Sequence, residues 1–152
     1  MKISFSNKFD SEDSLVIIYS DKNQLLKKIT LSGAEKNLIE KVEKLNKSKK
    51  SFTEFFNIPD GKNIKKILIS KTKSKFEVSH TEALAGKILS QLERNNIEKA
   101  VVICSVDSNR EGLFNTIKAL THGFLMKDYR FEKYKTITKK DISGNYDDKI
   151  SE

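Results

Sequence analysis

The sequence predicts an α/β fold, a mixed β-sheet flanked by helices. Three observations carry that expectation. Short β-branched apolar runs alternate with amphipathic helical periods along 152 residues. Each of the three longer helical periods follows a Ser-x-x-Glu tetrad with capping-box spacing. One run, Ala-Val-Val-Ile at 100–103, is continuously apolar, as a strand covered on both faces must be.

In chain order, residues 5–9 and 15–20 read as the first two strands. The second, Leu-Val-Ile-Ile-Tyr, is stopped by Asp21-Lys22-Asn23. Ser32-Gly33-Ala34-Glu35 opens the first helix, with Ala34, Leu38, Val42 and Leu45 on one face and Ile39 widening the stripe. That helix fades over residues 46–50. Residues 52–58 are β-prone, Pro59-Asp60-Gly61 turns the chain, and residues 64–70 alternate as a half-buried strand. Ser79-His80-Thr81-Glu82 is the second box, ahead of Leu84, Ile88 and Leu92, and Asn95-Asn96 ends that helix. Residues 99–106 form the central strand. Ser108-Asn109-Arg110-Glu111 is the third box, and Leu113, Ile117, Leu120 and Phe124 mark the face of the longest helix. A compact aromatic-basic turn over residues 123–135 then leads into a polar tail, 136–152, without apolar period. No internal repeat is present.

Composition bounds the function. With 37% hydrophobic and 33% charged residues, the chain suits one soluble domain large enough to bury a core. No apolar run approaches the ~18 residues of a membrane span, and the first residues lack the pattern of a signal peptide. A single cysteine, Cys104, makes no internal disulfide and points to a reducing, cytoplasmic setting. The net charge of +8 invites a nucleic-acid reading. Yet Arg94, Arg110 and Arg130 are the only arginines, and specific base and phosphate recognition favours arginine forks. The lysine runs at 44–50 and 62–75 read as solvated faces.

Chemistry has few footholds. A metal-dependent hydrolase needs several carboxylates or histidines converging on an ion. His80 and His122 fall on different predicted helices without a ligand partner at i+4, so they read as a solvent-facing first-turn residue and a helix-flank residue. Cys104, in mid-strand, reads as a buried inert thiol. No glycine-rich phosphate loop or nucleophile elbow occurs. The one local anion-site candidate is Asp107-Ser108-Asn109-Arg110, where Ser108, Asn109 and Arg110 open a helix behind the central strand. Plain capping by Ser108 with a solvated Arg110 explains the same residues.

The segment Phe124-Leu125-Met126-Lys127-Asp128-Tyr129-Arg130-Phe131-Glu132-Lys133-Tyr134-Lys135-Thr136 is similar to a recurring segment of the leucyl (cytosol) aminopeptidase family. There a helix near the end of the N-terminal domain runs into a Tyr-Arg-Phe-(Asp/Glu)-x-Tyr-Lys pattern. Residues 13–17 and 64–70 resemble two of that domain's strands, and the likeness of organisation spans 15–139. The resemblance implies a macro-domain-like N-terminal domain over 1–139, with 140–152 the start of an interdomain linker. It further implies a following catalytic domain of the same polypeptide that holds two divalent metal ions, manganese or zinc. Such enzymes assemble as homo-hexamers and remove N-terminal residues from peptides. Their catalytic hallmark, Asn-Thr-Asp-Ala-Glu-Gly-Arg, has no counterpart here, so no catalytic or metal-binding residue is carried over. Tyr129, Arg130, Phe131 and Tyr134 become interdomain or assembly residues. Phe124 is expected in the core, Phe131 folded back on the domain, and Arg130 and Tyr134 toward the catalytic half. Some bacterial relatives bind DNA, which leaves a DNA-binding module as one alternative; a macro-type nucleotide-binding domain is the other. No membrane partner is expected.

Overall fold

The computed structural model of the chain describes residues 2–5, 14–73, 77–106 and 110–134, with positions 2–5, 60 and 128–134 described by their backbone. Five strands form one sheet in the order β1-β5-β2-β4-β3. These are β1 (Lys2–Phe5), β2 (Ser14–Tyr19), β3 (Phe52–Asp60), β4 (Asn63–Lys71) and β5 (Lys99–Ser105). β1, β5, β2 and β4 run parallel, and β3 pairs antiparallel with β4. The mixed α/β sheet expected from the sequence is therefore present.

Helices cover both faces. α1 (Lys22–Lys28) and α2 (Gly33–Leu45) lie on one side, where Leu25, Leu31, Ile39 and Val42 meet Leu15, Ile17, Ile67, Ile69 and Ile103. On the other, α3 (Val78–Arg94) and α4 (Arg110–Tyr134) bring Ala85, Ile88, Leu89, Leu92, Leu120 and Phe124 against Val16, Ile18, Leu68 and Val102. Phe124 is in the core, as expected. Among the described residues no helix is long and apolar enough to cross a membrane.

Several expectations are corrected. Asp21-Lys22-Asn23 does not simply stop β2: the Asp21 carboxylate accepts from the backbone N–H of Asn23 and Gln24 and so caps α1, a helix the periodicity did not reveal. The capping box of Ser32 and Glu35 is formed. The buried face of α2 is nevertheless Glu35, Ile39 and Val42, while Ala34 is exposed and Leu45 is 79% exposed. Glu35 turns inward because Lys65 Nζ meets its Oε1 at 2.7 Å, both side chains nearly out of solvent. β4 does not alternate: Asn63 and Ile64 are exposed, whereas Ile67 to Ser70 are covered on both faces.

The second box does not form. α3 begins at Val78 with Glu77 as N-cap and no side-chain capping bond, which places Ser79 inside the first turn. Its other end closes as the Asn pair predicts. Asn96 takes φ 55°, its N–H donates to Glu93 O, and Ile97 N–H donates to Leu92 O. This is the Schellman arrangement, sealed by burial of both Ile97 and Leu92. The turn expected over 123–135 is helix instead, since α4 runs unbroken to Tyr134. The third box at 108–109, the first-strand residues 6–9 and the tail 136–152 lie outside the described residues.

The two helices on the second face touch backbone to backbone. A Cβ on Gly123 would lie 2.7 Å from both Ala85 Cβ and the Glu82 carbonyl oxygen, and 2.9 Å from Glu82 Cα. Gly86, one residue from Ala85, has open space in the same test. Gly123→Ala is thus expected to destabilise the chain by ~1–3 kcal/mol through overpacking against backbone that cannot yield. Gly86→Ala is expected to stabilise it by up to ~1 kcal/mol. Urea unfolding of the two variants beside the parent checks both signs.

Candidate functional site

Parallel strands deliver three chain ends to one edge of the fold. At that edge Ser20 N–H donates to Ser105 O at 3.1 Å, and Thr72 N–H donates to Tyr19 O at 2.9 Å. β2 hands the chain to the α1–α2 face, whereas β4 and β5 hand it to the α3–α4 face. Such a switch point is where open α/β sheets place ligands. Here it holds a small crevice lined by Ile18, Thr72, Lys73, His80, Thr81 and Thr116, with about 10 Å³ of space, room for one water.

The threonine hydroxyls around it are already engaged. Thr81 Oγ1 donates to Glu77 O at 2.8 Å and Thr116 Oγ1 to Gly112 O at 2.8 Å. Thr72 Oγ1 lies 3.4 Å from His80 Nε2. His80 is exposed in the first turn of α3, as read from the sequence. His122, on the flank of α4, sets Nδ1 2.6 Å from Glu82 Oε1 beside the Gly123 contact.

Arg110 is exposed at the first residue of α4; Asp107, Ser108 and Asn109 lie outside the described residues, so the anion-site candidate is represented by Arg110 alone. Tyr129, Arg130, Phe131 and Tyr134 occupy the last turns of α4. Helical spacing sets positions 124, 131 and 134 along one side. Cys104 faces the α3–α4 core, and burial pushes its thiol up to about 12. At neutral pH it is therefore un-ionised and a poor nucleophile. Among the described residues no group of three or more His, Cys, Asp or Glu side chains could hold a metal ion.

On the opposite face lies a polar cluster that periodicity could not announce. Tyr19, fully buried, donates its hydroxyl to Glu43 Oε1 at 2.6 Å. Lys71 Nζ reaches the same carboxylate at 3.0 Å, and Lys22 pairs with Glu40 at 3.1 Å. Burial first, and then the hydrogen bond and charge of Glu43, hold the Tyr19 hydroxyl well above its ordinary range. The only hint in the sequence is the Glu35/Glu43 spacing on α2 against Lys65/Lys71 on β4.

Because the folded state keeps this proton longer than the unfolded chain, the Tyr19 contribution is complete below the ordinary tyrosine value of 10.0 and is lost as pH rises beyond it. Tyr19→Phe is expected to cost ~1.5–3 kcal/mol at neutral pH, the range for a hydrogen bond to a charged group. The gap between variant and parent should narrow once the pH passes that value. Urea midpoints of the two proteins across neutral and alkaline pH test this. A gap independent of pH would remove Tyr19 from the alkaline behaviour.

Comparison of the chain with protein-family models, with curated proteins and with solved structures finds no match to any of them.

Proposed function

We propose that this chain is a non-catalytic assembly domain that works beside a two-metal leucyl-type aminopeptidase centre. In this reading a following domain of the same polypeptide, in a cytoplasmic homo-hexamer, holds the manganese or zinc ions. The observation that carries it is the course of α4. The helix is fixed in the core at Leu120 and Phe124, then continues unbroken through the family-like residues Tyr129, Arg130, Phe131 and Tyr134. A helix anchored at one half and carrying aromatic and basic residues on the other suits contact with a second body.

A macro-type nucleotide-binding role draws no support from the switch-point crevice, which has space for one water. Against DNA stands the makeup of the +8 charge, which is lysine apart from Arg94, Arg110 and Arg130, where specific base and phosphate recognition favours arginine forks. The assembly reading is preferred on the course of α4.

The test compares this chain with the protein encoded in full. This chain with Mn²⁺ or Zn²⁺ is expected not to release leucine from leucyl substrates, while the full protein does so until a chelator is added. Phe124→Ala is expected to cost the isolated chain ~3–5 kcal/mol, as for a buried aromatic. Arg130→Ala should leave its stability within ~0.5 kcal/mol yet reduce the native mass of the full protein. A full protein without leucyl hydrolysis would end the aminopeptidase reading. An Arg130→Ala chain that unfolds would make the arginine an internal strut.

A further inference from the structure

β3 is an edge strand whose inner side is fully paired with β4 from Phe52↔Lys71 to Asp60↔Asn63. The connecting loop has two residues, and its first, Gly61, has φ +63°, as a type II′ hairpin requires. In such a hairpin the residues flanking the loop exchange both backbone hydrogen bonds, and the exchange recurs at every second position. Positions 60, 58, 56, 54 and 52 therefore bond inward to β4. The backbone N–H and C=O of Thr53, Phe55 and Asn57 point outward, and the outward position at 59 is filled by Pro59, which has no N–H to offer. Among the described residues no strand pairs with this outer side.

Edges of this kind are usually blunted with lysine. This chain has 29 Lys and Arg residues, and the other edge strand, β1, contains Lys2. β3, Phe-Thr-Glu-Phe-Phe-Asn-Ile-Pro-Asp, contains neither. β3 therefore sets no positive charge of its own against a second copy; its blunting residues are Glu54 and, toward one end, Pro59.

We propose that β3 pairs with β3 of a second copy, antiparallel about a two-fold axis at Phe55, to make one continuous sheet across a homodimer. Thr53 then faces the partner's Asn57, Phe55 faces the partner's Phe55, and each pair exchanges both N–H···O bonds through outward groups. Phe52 comes opposite the partner's Ile58. Position 60, an aspartate, comes opposite position 50, a lysine, at both ends of the ladder. The neighbouring registers are disfavoured. A shift of two residues in sum one way sets Glu54 directly against the partner's Glu54, a like-charge pair. The same shift the other way moves Pro59 from opposite the partner's Ser51 to opposite its Thr53, which brings the missing proline donor one bonded pair closer to the centre of the ladder. A peptide of another protein could use the same backbone groups, but the pairing of 50 with 60 and the absence of lysine favour a second copy. This inference stands apart from the aminopeptidase reading.

Sedimentation of the full chain across the micromolar range is expected to show a monomer–dimer equilibrium. Asn57 is exposed and its N–H points outward, so Asn57→Pro spares the β3–β4 ladder. It is expected to abolish the dimer while circular dichroism and the urea midpoint stay near those of the parent. Independently, the double variant Thr53→Cys with Asn57→Cys should form a covalent dimer under mild oxidation. The Thr53→Cys single variant and the parent, with Cys104 alone, should not. A chain that is monomeric throughout, or a dimer indifferent to Asn57→Pro, overturns the proposal. Should Asn57→Pro fail to fold, the cysteine pair decides: no covalent dimer above the level of the single variant overturns it equally.

Discussion

The contact on which the α3–α4 layer depends is Gly123 seated against the backbone of Glu82 and the methyl of Ala85. Interaxial distances between helices are set by the residues at their crossing, and glycine allows the closest approach. That approach lets Leu120 and Phe124, on either side of the glycine, reach Ala85, Ile88 and the sheet residues Val16 and Val102. A side chain at 123 would lift α4 and withdraw both residues from the sheet at once. The contact is also framed by polarity, since His122 meets Glu82 at the solvent side of the same crossing.

The other face is organised by charge at its ends and hydrocarbon in its middle. On β4, Lys65 and Lys71 flank Ile67 and Ile69; on α2, Glu35 and Glu43 flank Ile39 and Val42. The two ion pairs set the register of helix on strand, because sliding α2 by one turn would bury Glu35 without Lys65. Removing one partner of a buried pair costs far more than the pair contributes relative to an apolar replacement. The Lys65–Glu35 bridge is therefore better understood as specifying the position of α2 than as adding stability. Glu35 serves twice, since its other carboxylate oxygen accepts the Ser32 N–H that completes the capping box.

Most of the sheet was legible because burial on both faces writes itself directly into runs such as Leu-Val-Ile-Ile-Tyr. Helix faces were less so. The α2 stripe was misplaced because Glu35 counts as polar in any periodicity, although its charge is satisfied indoors by a lysine thirty residues away. α1 was missed for another reason. Seven residues are too few to show a period, and its start signal, Asp21, also looks like the end of a strand. At α3 the box spacing at Ser79 was present, but the helix starts earlier, at Val78, with Glu77 as cap; Ser79 then has helical backbone and is no longer at the N-cap position from which its side chain could close the box. The end of α4 was read as a turn because its aromatic and basic residues suggested a change of environment. No glycine or proline breaks the segment after Gly123, and the backbone continues helical.

The candidate site was harder to see because this interior satisfies its own polar groups. The hydroxyls of Thr81 and Thr116 bond to carbonyls of their own helices, and those of Tyr19 and Thr72 to a carboxylate and a histidine from other elements. Among the described residues Ser105 Oγ is the one buried side-chain polar atom without a partner, and it sits in register beside Tyr19 rather than in the crevice. The hydroxyls described at this sheet end are therefore poor ligand groups as they stand, since desolvating groups already bonded returns little. Unmet hydrogen-bonding capacity lies instead in the backbone of the β3 edge, where Thr53, Phe55 and Asn57 turn their amides outward. The described strand ends are thus well satisfied while the outward backbone groups of β3 keep open capacity, and that contrast is the physical ground for the pairing proposed there.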